Sequence, residues 1–177
     1  TRINTPQTRD LIRRLNLAAI TVLNNKEHIL PLHADKEMPP MALLEVGDAG
    51  ETDALAGRLG KYTSLVRFRL RKGMTEAQER VLRDSLSGYR RVIVAVSEQR
   101  LAPFQNFFAG LATDKKIPPT VYLFFTPGKM MLQIYRAVST AQAVVLAHST
   151  GQDVQRQVAD ILFARASADG RLSASLG

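Results

Sequence analysis

The feature that most limits the fold of this 177-residue chain is a series of short, almost wholly apolar runs. Runs of this kind are typical of strands that are buried on both faces of a sheet. Segments with helical spacing separate them. The alternation predicts a mostly parallel sheet of five to six strands between two helical layers, an α/β three-layer sandwich with a general flavodoxin-like shape. The four clearest apolar runs are 41–46 (MALLEV), 91–96 (RVIVAV), 120–125 (TVYLFF) and 143–147 (AVVLA).

Further elements follow from local patterns. Apolar residues recur at helical spacing over 8–23 and predict a helix there, and Pro31 then holds Leu30 extended. Thr75 and Gln78 form a capping-box pattern at the start of another helix. Helices are also predicted at 52–59, 102–111, 129–136 and 153–163, strands at 64–70 and 171–176, and a surface loop at 33–40.

Length and composition indicate one folding unit. The chain is 45% hydrophobic, which is enough for one sizeable core. We expect 1–177 to form a single domain, with 1–32 as a lead-in helix and linker and 41–177 as the sandwich. No apolar run approaches the roughly 18 residues of a membrane span. The absence of cysteine excludes disulfides, thiol catalysis and cysteine-based zinc sites.

Motifs for catalysis or cofactor binding are missing. There is no G-x-S-x-G and no glycine-rich phosphate loop, and VGDAGETDAL instead places acids where a phosphate would sit. We interpret these acids, Asp48, Glu51 and Asp53, as complements to a helix dipole. The histidines His28, His33 and His148 lack metal-ligand spacing. We therefore predict no catalytic, cofactor-binding or metal-binding residue, and no cofactor.

The segment 148–151 (HSTG) follows a predicted strand, where open α/β sheets bind ligands. It is either a rim site or an ordinary turn in which Ser149 or Thr150 begins the last helix. The turn is the favoured interpretation.

Two charged features have alternative interpretations. Arg67, Arg69 and Arg71 share one side of a predicted strand, and the net charge is +8. They form a cationic stripe for a polyanion, an edge strand whose charges oppose pairing between sheets, or a contact with a neighbouring domain, and we favour the edge over the polyanion stripe. Aromatic residues are only 6%, so a nucleic-acid stacking platform is poorly supplied. Glu98 stands alone after a strand, and glycosidase chemistry needs two carboxyl groups.

Both ends of the chain resemble the C-terminal domain of family 3 glycoside hydrolases. The stretch VLNNKEHILPL is similar to the pattern V-L-x-N-x-x-x-x-L-P-L that leads into that domain. The other end resembles the closing helix and the G-R-L-P-V-S strand of the family. Ala164 stands where the family has glycine, and Ser173 where it has proline. The matching residues are Val22, Leu23, Asn25, Leu30, Pro31 and Leu32, and then Gln157, Ala159, Leu162, Phe163, Gly170, Arg171 and Leu172.

The resemblance implies a parent enzyme and not an autonomous one. In β-glucosidase-like members an acid/base glutamate lies in an E-G-x-D-R-like loop of this domain. The segment SEQRLAPF lacks the glycine and aspartate of that loop, so the role is not carried over to Glu98. The chain is more similar to the β-N-acetylglucosaminidase-like branch, whose catalytic groups lie on the preceding barrel. The implied partners are that barrel, in the same polypeptide, and a carbohydrate bound through it.

Two hypotheses follow. The first is a non-catalytic C-terminal domain of a retaining family 3 hydrolase that packs on the barrel and shapes the sugar cleft. The second is a stand-alone flavodoxin-like module that binds a polyanion through Arg67, Arg69 and Arg71. The residues do not fix the compartment; the resemblance favours a periplasmic or extracellular parent.

Overall fold

The computed structural model describes residues 20–26 and 29–164, which contain one six-stranded sheet. The strand order is β1-β6-β5-β4-β2-β3. Strand β1 is antiparallel to β6, and all other neighbours are parallel. The strands are β1 (Thr21–Asn25), β2 (Met41–Val46), β3 (Leu65–Leu70), β4 (Val92–Val96), β5 (Thr120–Phe124) and β6 (Ala143–Leu146).

Five α-helices cover the two faces of this sheet in the described residues. They are α1 (Asp53–Leu59), α2 (Glu76–Leu86), α3 (Gln105–Thr113), α4 (Tyr135–Thr140) and α5 (Gln152–Leu162). Side chains of α1 and α5 share one apolar cluster with the sheet, and those of α2, α3 and α4 share the other. The predicted three-layer α/β sandwich with a mostly parallel sheet is confirmed.

The two central strands explain why the apolar runs are continuous. Every residue of β4 and β5 is buried, and successive side chains alternate between the two apolar clusters. Ile93 joins the cluster of α1 and α5, and Val94 joins the other. A polar side chain at either position would face a helix rather than water.

The predicted helix 8–23 is wrong at its C-terminal end. Thr21–Asn25 is strand β1, which pairs with β6 through Thr21–Leu146 and Asn25–Ala143. The β-branched Thr21 and Val22 suit a strand, and β6 supplies the pairing that the local sequence does not reveal. Part of the predicted lead-in segment 1–32 therefore belongs to the sheet. Residues 8–19 lie outside the described residues.

A side-chain clamp closes the turn after β1. The Asn25 side chain donates from Nδ2 to the Leu30 carbonyl at 3.2 Å and accepts the Leu30 N–H at Oδ1 at 2.9 Å. Leu30 and Leu32 then enter the core. The asparagine of the sequence motif therefore fixes the path of the chain into the leucines that follow it.

Other boundaries need smaller corrections. The helix predicted at 129–136 is a 3₁₀ segment, Gly128–Ile134, followed by α4. The capping box of α2 is confirmed, since Thr75 accepts the Gln78 N–H and Gln78 accepts the Thr75 N–H. The loop at 33–40 is confirmed, apart from a single bridge between Asp35 and Thr63. The predicted strand 171–176 lies outside the described residues.

The antiparallel β1 determines where the chain enters the sheet. Because Thr21 pairs with Leu146 at the end of β6, residue 20 lies at the edge where the parallel strands end, called here the carboxyl edge. Helix α5 runs back to the opposite edge, where the Leu32 N–H donates to the Leu162 carbonyl at 2.6 Å. The polypeptide before residue 20 thus meets the domain at the carboxyl edge.

Candidate functional site

Loops that follow the parallel strands meet at the carboxyl edge, the place where open α/β sheets bind ligands. The loops after β2 and β4 are joined by backbone hydrogen bonds. The Val46 carbonyl accepts the N–H groups of Ser97 at 2.9 Å and Glu98 at 3.0 Å. This junction places Glu98 beside the loop that begins at Gly47.

Gly47 makes that junction possible. Its φ is +154°, and a Cβ atom at this position would overlap the Ser97 side chain. The Glu51 carboxylate would lie only 2.8 Å from the same Cβ. Only glycine lets the two loops approach this closely.

Glu98 is held as an ion-paired carboxylate at a cleft of about 270 Å³ that Arg69 and Lys72 also line. Lys72 Nζ lies 3.3 Å from Glu98 Oε1, and the Arg100 N–H donates to Oε2 at 3.1 Å. Burial raises the pKa of the Glu98 carboxyl, but the Arg100 N–H and Lys72 together lower it by more. The pKa therefore lies below its ordinary value.

This environment does not suit a glycosidase acid. A general acid must hold its proton near neutral pH, which requires a raised pKa. Glu98 instead loses its proton more readily than a free glutamate. Through its contact with Lys72, Glu98 ties the loop after β4 to the segment that follows β3.

Gln155 also organises the carboxyl edge, although no sequence motif marks it. Its side chain is buried and accepts the Leu55 N–H at 2.9 Å. It also donates to the carbonyls of Glu51 at 2.9 Å and Thr150 at 2.8 Å. One amide therefore binds the loops after β2 and β6 to helix α1. The sequence could have indicated Gln155 by its position: it lies one turn before Ala159 and so on the buried side of α5.

The arginine stripe is largely engaged within the protein. Arg67 makes a bidentate pair with Glu45 at 2.8 and 2.7 Å and also contacts Asp53 at 2.6 Å. The hydrogen bonds that Arg67 donates to Glu45 and then to Asp53 raise the pKa of Arg67 above its ordinary value. Two carboxylates therefore neutralise this guanidinium.

The rest of the stripe also fits the edge interpretation. Arg69 donates from Nε and Nη2 to the Gly47 carbonyl at 3.2 and 3.0 Å. Strand β3 lies at the edge of the sheet in the described residues, as expected for charged strands that resist pairing. The polyanion hypothesis is not favoured.

The other predicted residues do not converge on a site. Asp53 lies in the first turn of α1, as expected for a dipole complement, although its carboxylate also binds Arg67. His33 is 3.9 Å from Asp35 at an exposed position, His148 is exposed, and His28 is outside the described residues. Within residues 20–26 and 29–164, no group of three or more potential ligands could hold a metal ion.

The segment 148–151 is irregular rather than a regular turn, and neither Ser149 nor Thr150 begins the helix as expected. Helix α5 begins at Gln152 after Gly151, and no side chain caps it. Ser149 Oγ accepts the Gly151 N–H at 3.3 Å, and Thr150 contributes its carbonyl to Gln155. His148 has a φ of +66°, which directs the chain away from β6.

In the part of the chain that is described, no helix is both long and apolar enough to cross a bilayer.

Comparison with known proteins identifies similar structures but no sequence relative. No protein-family model and no curated protein matches this chain. A fungal multi-domain family 3 β-N-acetylglucosaminidase superposes with a TM-score of 0.70 at 15% identity, covering 89% of this chain and 18% of the fungal one.

Two bacterial enzymes give similar results. A β-glucosidase from Listeria innocua has a TM-score of 0.65 at 15% identity, covering 91% of this chain and 25% of its own. A family 3 β-N-acetylglucosaminidase from Paenibacillus sp. has a TM-score of 0.63 at 16% identity. The match covers 90% of this chain and 31% of the Paenibacillus chain. The chain thus spans less than a third of the length of each of these proteins. It has the α/β-sandwich fold of a domain found in multi-domain family 3 glycoside hydrolases.

Proposed function

We propose that this chain is the non-catalytic C-terminal domain of a family 3 glycoside hydrolase. The observation that supports this most directly is that family 3 enzymes contain the whole fold as a minor fraction of their length. The sequence motifs at both ends of the chain agree with it. The parent would be a retaining enzyme that cleaves β-linked N-acetylglucosamine or a related sugar on its barrel domain.

The entry point of the chain supports a role beside the barrel. Residue 20 lies at the carboxyl edge beside the end of β6, and Gln155 ties the loop after β6 to the loop after β2. A domain that precedes this chain would be connected to the sheet at this edge. These loops can wall a sugar cleft on that domain because Gln155 and the Lys72–Glu98 pair hold them in place.

The chemistry of the carboxyl edge supports a non-catalytic assignment. Retaining hydrolysis needs a second carboxyl group about 5 Å from the first, and one of the pair must hold a proton. Glu98 is paired with Lys72 and has a lowered pKa. The proposed catalytic groups therefore lie on the barrel.

The test is turnover of two chromogenic substrates, the 4-nitrophenyl β-glycosides of N-acetylglucosamine and glucose. We expect the 177-residue chain and its Glu98→Gln variant to release nitrophenol no faster than buffer, while the parent polypeptide cleaves at least one substrate. Turnover by the isolated chain that disappears in Glu98→Gln would contradict the proposal and make Glu98 catalytic.

A further inference from the structure

An exposed apolar face lies between β1 and α4, near the point where the chain enters the sheet. Leu23, Leu132 and Tyr135 are 49%, 62% and 57% exposed, three of the six most exposed large apolar side chains among the described residues. With the half-buried Met131 they form what we call the apolar face. Apolar groups concentrated in this way mark an interaction surface more often than isolated ones do.

The apolar face contains two hollows that can receive side chains of a partner. Tyr135 lines a hollow of about 250 Å³ together with Leu23 and Met131. It also lines a second hollow of about 360 Å³, beside Leu132 and Phe108. A ring between two hollows resembles the aromatic anchors at the centres of protein interfaces.

Two of the segments that carry the apolar face, the 3₁₀ segment and α4, contain basic residues and no acidic ones. The sequence from 115 to 152 contains four basic residues and no acidic one, and β1 adds none. Lys129 and Arg136 lie on the 3₁₀ segment and on α4, and Lys26 directly follows β1; all three are exposed. An apolar centre with a basic rim fits a partner whose own apolar centre has an acidic rim.

The path of the chain indicates which partner this is. Leu23 is three residues from residue 20, where the polypeptide arrives at the carboxyl edge. The 3₁₀ segment that carries Met131 and Leu132 follows β5 and so begins at that same edge. Whatever precedes residue 20 is covalently held beside the apolar face, which gives it a high effective concentration there.

We infer that the apolar face of Leu23, Met131, Leu132 and Tyr135 is the docking surface for the domain that precedes this chain in the parent polypeptide, through an apolar patch with an acidic rim. This inference rests on the proposed function, because it needs a preceding domain. Docking buries the exposed apolar side chains and orients the carboxyl-edge loops on that domain.

Backbone hydrogen exchange tests the inference. We expect the amides of 129–140 to exchange at least tenfold more slowly in the parent polypeptide than in the 177-residue chain. The parent carrying Leu132→Glu and Tyr135→Glu should exchange there as fast as the isolated chain. The matched control is Val81→Glu on α2, at a side chain that is 65% exposed and distant in sequence from the apolar face; it should leave the protection unchanged.

The outcomes separate the inference from the proposed function. Thermal unfolding of the isolated variants checks that the substitutions leave the fold intact, as expected at exposed positions. Equal exchange of 129–140 in the parent and the isolated chain would overturn the docking inference, even if the parent hydrolyses its glycoside. Protection in a parent that cleaves neither glycoside would uphold docking and contradict the proposed function. A native chain with no domain before residue 1 would overturn both.

Discussion

At the scale of single residues, the charged and amide side chains of the carboxyl edge hold loops together. Glu98 contacts Lys72, and Gln155 binds Glu51, Leu55 and Thr150. The sequence alone shows Glu98 as a lone acid, because its partner Lys72 follows a different strand and is 26 residues earlier in the chain. Gln155 is equally hidden, since its partners are about 100 residues away or in the adjacent loop.

The Lys72–Glu98 pair predicts a pH-dependent contribution to stability. Because the pKa of Glu98 lies below its ordinary value of 4.5, its contribution is complete above that value and is lost as pH falls through the folded-state pKa. We expect Glu98→Gln to lower the free energy of unfolding by no more than about 1 kcal/mol at neutral pH, as for a partly exposed pair. Urea unfolding near pH 7 and pH 3 measures this. A difference as large at pH 3 as at pH 7 would show that the charge is not responsible.

Gln155→Leu should lower the free energy of unfolding far more than Glu98→Gln does. Leucine fills a similar volume but leaves the Leu55 N–H and the Glu51 and Thr150 carbonyls without this partner. We expect a loss of about 2–4 kcal/mol in the free energy of unfolding. The control is Gln152→Leu at the exposed start of the same helix, which should change it by less than about 0.5 kcal/mol. Equal effects of the two substitutions would refute the stabilising role of the Gln155 hydrogen bonds.

At the scale of elements, the sequence predicts those whose pattern is local. Strands β2, β4, β5 and β6 are continuous apolar runs, and the Thr75–Gln78 box marks the start of α2. Strand β1 was mistaken for the end of a helix because Val22 and Leu23 continue a helical spacing of apolar residues. Its pairing partner, β6, is more than 110 residues away in sequence. The predicted helix at 129–136 lies too early in the chain, because the 3₁₀ segment before α4 has a helical pattern as well.

The turn after β1 provides a test of one element. Asn25→Ala removes both hydrogen bonds that bind its side chain to Leu30. We expect the free energy of unfolding to fall by about 1–3 kcal/mol, since the Leu30 backbone groups lose their partner in a partly buried site. Asn106→Ala, at an exposed position of α3, should have little effect in the same denaturation experiment. An unchanged midpoint for Asn25→Ala would show that the core leucines fix this turn without the amide.

At the scale of the whole molecule, the antiparallel β1 gives the domain two distinct ends. The chain enters at the carboxyl edge beside the apolar face, and α5 carries it back to the opposite edge. The fold class could be predicted from strand–helix alternation, whereas the apolar face could not, because it combines β1 with a segment more than 100 residues later. Under the proposed function, a domain without catalytic groups contributes to the enzyme by presenting the carboxyl-edge loops and the apolar face to one neighbouring domain.

The most direct test of the central claim is the mass of the native protein in its source cells, measured by immunoblot with antibodies raised against this chain. The family 3 enzymes of similar fold are covered over only 18% to 31% of their length. We therefore predict a band several times heavier than 19.6 kDa, and that the immunoprecipitated protein cleaves an aryl β-glycoside. A band near 19.6 kDa would contradict the account, because this domain would then have no catalytic partner in its own chain.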